Sequence, residues 1–336
     1  MIKRLLGRTG LEISIIGFGG IPIQRLDKES AVILIEELYK QGINFIDTAR
    51  GYTTSEELIG HGLKKIGRDK FILATKSMSR DYESMKRDIQ ISLNNLKTDY
   101  IELYQVHNVR TEEEYSKILS EDGALKALLE AKEKGSIKHI GITSHDLNII
   151  EKGAESGHFS TIQFPYNPVE RQAEELFKRA KELGLGVIVM KPLAGGAIIN
   201  KELSLRFVLE NNNISVAIPG MDSVEQIITN SKLGIEYRSL NDEERAIILS
   251  EAKELGSEFC RRCGYCAPCP QRIDIPVQFL MEGYYTRYNL KDWAKERYLS
   301  MENKAVDCIE CGICETRCPY DLPIRRMLKK VAYNLG

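Results

Sequence analysis

Apolar and polar positions along the chain follow two alternating periods. Short apolar, β-type stretches lie near residues 15–19, 44–48, 71–76, 100–106, 137–143, 161–165, 186–191 and 214–219 and read as strands. Between them, near 28–41, 55–66, 82–97, 123–134, 147–155, 172–183, 202–211 and 223–233, apolar residues recur at helical spacing. Gly42, Gly67, Gly135, Gly157, Gly184 and Gly234 stand where those helices should stop, as left-handed C-caps do. Residues 5–14 hold two short runs around Gly7-Arg8-Thr9-Gly10, a hairpin signature. Eight strand–helix units in succession fit a closed α/β barrel, the (β/α)8 or TIM barrel, better than an open doubly wound sheet.

Composition adds a second segment. The chain has 336 residues, enough for one large domain and a smaller appendage. All eight cysteines follow residue 259, the sharpest shift in the sequence. We therefore divide the chain into a barrel at 1–256, closed by a charged amphipathic helix over 241–256, and a tail at 257–336. A net charge of −1 gives no reason to expect nucleic acid. No apolar run is long enough to span a membrane, and the start, Met1-Ile2-Lys3-Arg4-Leu5-Leu6-Gly7, carries no cleavage signal. The expected compartment is the cytoplasm, where thiols stay reduced.

Active sites of such barrels lie at the carboxyl ends of the strands. Three successive strands end in chemically useful residues: Asp47, Lys76 and His107, with Tyr52 in the loop after the first of them. Each has a bland reading as a helix cap, a solvated strand end or a bonded core histidine. Together they form a proton-transfer site. A lysine lowers the pKa of a nearby phenol, a carboxylate holds the lysine charged, and an imidazole steadies the substrate oxygen. Side chains supply no hydride, so a nicotinamide or similar cofactor is required.

Gly17-Phe18-Gly19-Gly20, Asn44-Phe45-Ile46-Asp47-Thr48-Ala49-Arg50-Gly51-Tyr52, Ala74-Thr75-Lys76 and Tyr104-Gln105-Val106-His107 resemble the aldo-keto reductase family over roughly residues 1–235. The resemblance implies a catalytic tetrad of Asp47, Tyr52, Lys76 and His107, and NAD(P)H bound in extended form. Tyr52 would be the acid, Lys76 and Asp47 would tune it, and His107 would position the carbonyl. It also implies cofactor contacts at Gly20, Ser144, Gln163, Met190, Lys191, Leu193, Gly195, Gly220, Gln226 and Asn230. His145 departs from the family's usual Asn after Ser144, and Met190 stands where an aromatic often stacks on nicotinamide. NADPH-dependent members commonly place Lys and Arg where Gly220 and Gln226 stand here. With both cations missing, a 2′-phosphate lacks charge-assisted partners, and the chain leans to NADH or dual use.

The tail carries Cys260-Arg-Arg-Cys263-Gly-Tyr-Cys266-Ala-Pro-Cys269-Pro270 and Cys308-Ile-Glu-Cys311-Gly-Ile-Cys314-Glu-Thr-Arg-Cys318-Pro319. The second run has the C-x2-C-x2-C-x3-C-P spacing of bacterial ferredoxins, in which the fourth cysteine may serve a neighbouring cluster. The first run is one residue short of that spacing. Two 4Fe-4S clusters are expected, with one cluster, or a zinc held by C-x2-C pairs, as alternatives. Residues 275–304 and 324–334 read as helical, with Tyr284, Tyr285, Tyr288 and Trp293 as cover for the tail's core. The reading is an oxidoreductase acting on a small carbonyl or alcohol, its clusters relaying electrons, to a partner protein in one version, or bracing the barrel. The alternatives are a nucleotide-binding redox sensor and an enzyme coupling nicotinamide to a partner ferredoxin.

Overall fold

A computed structural model describes residues 1–262 and 264–336. Strands β1 (Lys3–Leu5) and β2 (Glu12–Ser14) pair antiparallel around a single 3-10 turn at Gly7–Thr9, which is the expected hairpin. Eight strands follow: β3 (Phe18–Gly19), β4 (Phe45–Asp47), β5 (Ile72–Ser77), β6 (Ile101–Val106), β7 (Ile137–Thr143), β8 (Thr161–Pro165), β9 (Gly186–Met190) and β10 (Val216–Ile218). They form one parallel sheet in chain order. Bridges Ile16↔Ala217 and Gly19↔Gly220 close it, with Gly17 N donating to Ala217 O at 2.8 Å and Gly19 N to Pro219 O at 2.9 Å. Glycine is needed at the closure, because a Cβ on Gly19 would lie 2.7 Å from Ile218 O. The closed barrel is the fold that the strand–helix alternation predicted.

Period-two alternation sorts each strand's residues between two cores. Phe45, Ala74, Leu103, Ile188 and Val216 point into the barrel, where Leu6 and Ile13 of the hairpin plug its lower end. Ile46, Leu73, Tyr104, Ile142 and Val189 point outward and pack against the helices. Four of those helices begin at side-chain caps: Asp27, Asp81, Asp146 and Ser223 each accept from the backbone N–H three residues on. Five of the six proposed C-cap glycines have positive φ, between 73° and 117°. Gly234 is different: it lies inside the helix Val224–Ile235, where an added Cβ would meet the Met1 sulfur at 2.5 Å. It is a close-approach glycine rather than a cap.

Within the barrel, one α-helix was not anticipated among the described residues. Glu112–Leu119 lies between β6 and its barrel helix, capped by Thr111 and burying only Tyr115 and Ile118, too little apolar surface to mark its sequence. Beyond β10, the helix Asp242–Gly256 packs on the barrel. Arg206, 1 % exposed, reaches Glu244 with two bonds of 2.9 and 2.7 Å. The tail has its own core of Ile275, Phe279, Tyr298, Leu328 and Val331. Its long helical stretch is broken: Ile275–Thr286 and Lys291–Leu299 flank a turn in which Asn289 takes φ 52°. Ion pairs Arg262–Glu170 and Arg110–Asp274 join tail to barrel.

Candidate active site

Above the apolar layer of the barrel interior, the next inward positions are polar. Asp47 follows Phe45, Lys76 follows Ala74, Gln105 follows Leu103, and Gln163 joins them from β8. Lys76 Nζ donates to Asp47 Oδ2 at 2.6 Å and to Thr48 O at 2.7 Å. Gln105 Nε2 donates to Asp47 Oδ1 at 3.1 Å, and Gln163 Nε2 lies 3.5 Å from Oδ2. Burial pushes the Asp47 carboxyl up and the Lys76 ammonium down, each opposed by the other's charge. Gln105 was not anticipated; its signal was its inward register two places after Leu103.

Tyr52 is carried by the loop after β4. That loop is pinned by Arg50, which pairs with Glu56 at 2.9 Å and Asp88 at 3.6 Å. Glu56 is 1 % exposed and also accepts from Thr75 and Ser92, both at 2.7 Å. The Tyr52 ring centroid lies 5.1 Å from Lys76 Nζ and 5.8 Å from the His107 ring, at 85° to it. All four expected residues therefore meet at one mouth of the barrel. One part of the expectation is reversed: burial, with Asp47 and Tyr288 adding to it, raises the Tyr52 pKa above the ordinary phenol value. The phenol is held protonated. His107 is pushed well below its usual range by burial, then by Lys76 and Arg80, which favours a neutral ring, and its Nδ1 has no partner among the described residues.

A cleft of about 630 Å³ runs from this cluster along the strand ends. Asp47, Tyr52 and Gln163 line one end; Met190, Lys191, Leu193, Gly195 and Gly20 its middle; Gly220, Gln226 and Asn230 the other. Gln163 Oε1 is buried without a partner among the described residues, an acceptor available to a carboxamide N–H. Ser144 is not on the cleft wall: its hydroxyl donates to Val109 O at 2.7 Å and accepts from Asp146 N at 2.9 Å. An Arg25–Asp222 pair at 3.2 Å stands at the far end, beside the start of the helix Val224–Ile235. The sequence reading missed Arg25, which only the fold brings there. Tyr284, expected as cover for the tail's core, does pack against it, and it also lines this cleft with Arg287 and Tyr288, which the sequence reading did not foresee. Tyr284 packs edge-on to Tyr288 and Trp293 at 5.1 and 4.9 Å.

The cysteines ring two hollows in the tail. One is lined by Cys260, Cys266 and Cys318, the other by Cys269, Cys308, Cys311 and Cys314. Each hollow thus combines cysteines of both runs; Cys263 lies outside the described residues. Among the described residues, no three His, Cys, Asp or Glu side chains converge closely enough to hold a single metal ion.

A closed barrel with acid, amine, phenol and imidazole at its carboxyl mouth is the architecture of a barrel oxidoreductase. The chain belongs to the aldo/keto reductase family, which its residues 15–204 match, and residues 259–323 match the 4Fe-4S dicluster domain. L-galactose dehydrogenase of Arabidopsis thaliana is 28 % identical over 299 residues, covering 74 % of this chain and 93 % of its own. The NADH-specific methylglyoxal reductase of Escherichia coli is 29 % identical, covering 57 % of this chain and 65 % of its own. Among solved structures, an aldo-keto reductase from Bacillus halodurans in its holo form superposes with a TM-score of 0.66 at 26 % identity, over 81 % of this chain and 99 % of that one. The protein is an oxidoreductase of the aldo-keto reductase type, with an iron–sulfur domain following its barrel in the chain.

Proposed function

We propose that the protein interconverts a small carbonyl compound and its alcohol with NAD(P)H, with Tyr52 as the proton-transferring group. The observation that carries this reading is the Lys76–Asp47 contact beneath the Tyr52 ring, beside a cleft of about 630 Å³. The nicotinamide, when bound, gives or takes hydride. Gln163 would offer its carboxamide a buried acceptor, and Met190, Leu193, Gly195, Gln226 and Asn230, which line the same cleft, would hold the rest of the dinucleotide. Neither Gly220 nor Gln226 offers a 2′-phosphate a cation, and Arg25 at that end is already paired with Asp222, which leans to NADH or dual use.

In reduction the phenol starts protonated, which its raised pKa secures, and gives its proton to the substrate oxygen. The phenolate left behind is stabilised by Lys76, whose own charge is steadied by Asp47. Neutral His107 donates a hydrogen bond to the same oxygen. Tyr52→Phe should abolish carbonyl reduction while the NADH dissociation constant holds within about twofold, since one buried-site donor is worth on the order of 10²–10⁴ in rate. Retained turnover would remove Tyr52 from this role.

We place the boundary of the barrel after Gly256, because Arg206 and Glu244 bind the preceding helix to it. The two hollows support two 4Fe-4S clusters with crossed ligands: Cys260, Cys266 and Cys318 for one, to which the spacing of the first run adds Cys263, and Cys308, Cys311, Cys314 and Cys269 for the other. Cys311 is exposed among the exposed side chains Val306, Ile309 and Ile313, which favours a second reading in which this cluster exchanges single electrons with a partner protein. Anaerobic NADH titration followed by electron paramagnetic resonance tests it: clusters that stay oxidised would restrict them to bracing the fold.

A further inference from the structure

Lys191 and Arg287 come from different segments, the loop after β9 and the turn after the helix Ile275–Thr286. Both line the catalytic cleft, and both line a second cavity of about 480 Å³ that opens beside Cys260. The Lys191 ammonium makes no hydrogen bond or ion pair among the described residues. The charges around it are Arg262 and Arg287, with Glu170 as the acidic side chain. Glu170 is already committed, to Arg262 and to Asn167 Nδ2 at 3.0 Å. Arg287 is loosely held: its Nε donates to Gly195 O at 3.3 Å, and its nearest carboxylate, Glu282, is 3.9 Å away. Two cations thus face one partly dry space, Lys191 with no ion pair among the described residues and Arg287 with only the long one to Glu282, an arrangement that a bound anion relieves.

The backbone is shaped to bring them together. Lys191, Ala194, Gly195 and Gly196 all take positive φ, between 49° and 81°. A Cβ on Gly195 would stand 3.2 Å from the Tyr288 ring, so a bare glycine lets the tail's turn settle onto the loop. We propose that Lys191 and Arg287 form an anion clamp across the seam between barrel and tail, closing over a phosphate or carboxylate group of a bound ligand. Two sources share that chemistry: the pyrophosphate of the dinucleotide, or a carboxylate carried by the substrate. The proposal rests on the nucleotide-dependent carbonyl chemistry inferred above. It adds that the iron–sulfur domain is itself a wall of the site.

The test uses the full-length protein, purified anaerobically with its iron content verified. Arg287→Met and Lys191→Met are compared with the wild type, and Arg287→Lys serves as the conservative rescue. One arm measures binding of NADH against reduced nicotinamide riboside, which lacks phosphate. The other measures KM for an oxo acid against its methyl ester. Loss of about tenfold for NADH but not the riboside assigns the pyrophosphate; the same loss for the acid but not the ester assigns a substrate carboxylate. Folded variants unchanged in both arms overturn the clamp, as does a shift in cluster spectrum alone, which would mean that the cations answer the cluster's charge. If the variants fail to fold, inorganic pyrophosphate and oxalate as inhibitors of the wild type decide: competition with NADH or substrate supports the clamp, and none overturns it. A wild type that neither binds NADH nor reduces carbonyls sinks the proposed function instead.

Discussion

At the scale of single residues, burial decides more than charge does. The pattern of strand ends placed an amine beside a phenol and so pointed to a lowered phenol pKa. In the folded site desolvation is the larger effect, and Tyr52 is held in the form that donates a proton. The same effect governs two histidines. His107 and His145 are both held well below 6.5, chiefly by burial and then by nearby cations, Lys76 and Arg80 for the first, Lys191 and Arg262 for the second. The unfolded chain takes up those protons near pH 6.5, and the folded one does not. Stability is therefore present above that pH and is lost below it, by about 1.4 kcal/mol per unit for each such histidine. Thermal unfolding under anaerobic conditions should give a plateau near pH 7–8 and a falling Tm from pH 6.5 to 5.5. His145→Gln should make that fall shallower; a flat Tm through pH 5.5 would contradict the burial.

Elements were legible where one face repeats and opaque where packing is local. All eight barrel strands lie where the apolar runs predicted them, because each strand end has a turn and each strand has a core on both sides. The helix Glu112–Leu119 escaped notice because it buries only Tyr115 and Ile118. Helix Ser55–Ile66, which was foreseen, hides a constraint that its periodicity does not reveal. Gly60 lies against the backbone of Asn95 and Leu96, and a Cβ on Gly62 would stand 2.6 Å from Ile35. In an open helix, Gly→Ala would add up to about 1 kcal/mol of stability. Here the contact at Gly60 is with backbone, which has little room to yield, and overpacking typically costs about 1–3 kcal/mol. Gly60→Ala should therefore lower the Tm by several degrees in calorimetry, and a Tm above the wild type's would show that the helix can slide away.

For the whole molecule, the crossed arrangement of cysteines ties the two ends of the tail to each other. Cys269 lines the hollow of Cys308, Cys311 and Cys314, while Cys318 lines that of Cys260 and Cys266. Cys269→Ser should thus injure the cluster of the second run, although it lies in the first. Iron content should fall from about eight to about four per chain, and the surviving cluster should be the one that Cys318→Ser destroys. The same spectrum from both variants would refute the crossing. The barrel should keep its fold in either case, because its core is separate from the tail's.

The linear chain by itself determined the barrel, the identity of Asp47, Tyr52, Lys76 and His107, and the presence of an iron–sulfur segment. Those features are written in local spacing: period-two runs, helical repeats, strand-end polar residues and cysteine steps. Only the tertiary structure decided which cysteines share a hollow, that Gln105 supports Asp47, and that Arg25, Tyr284, Arg287 and Tyr288 reach the cleft. The physical reason is distance along the chain. These partners are separated by dozens to more than two hundred residues, and each is fixed by closure of the barrel or docking of the tail, which no local period records.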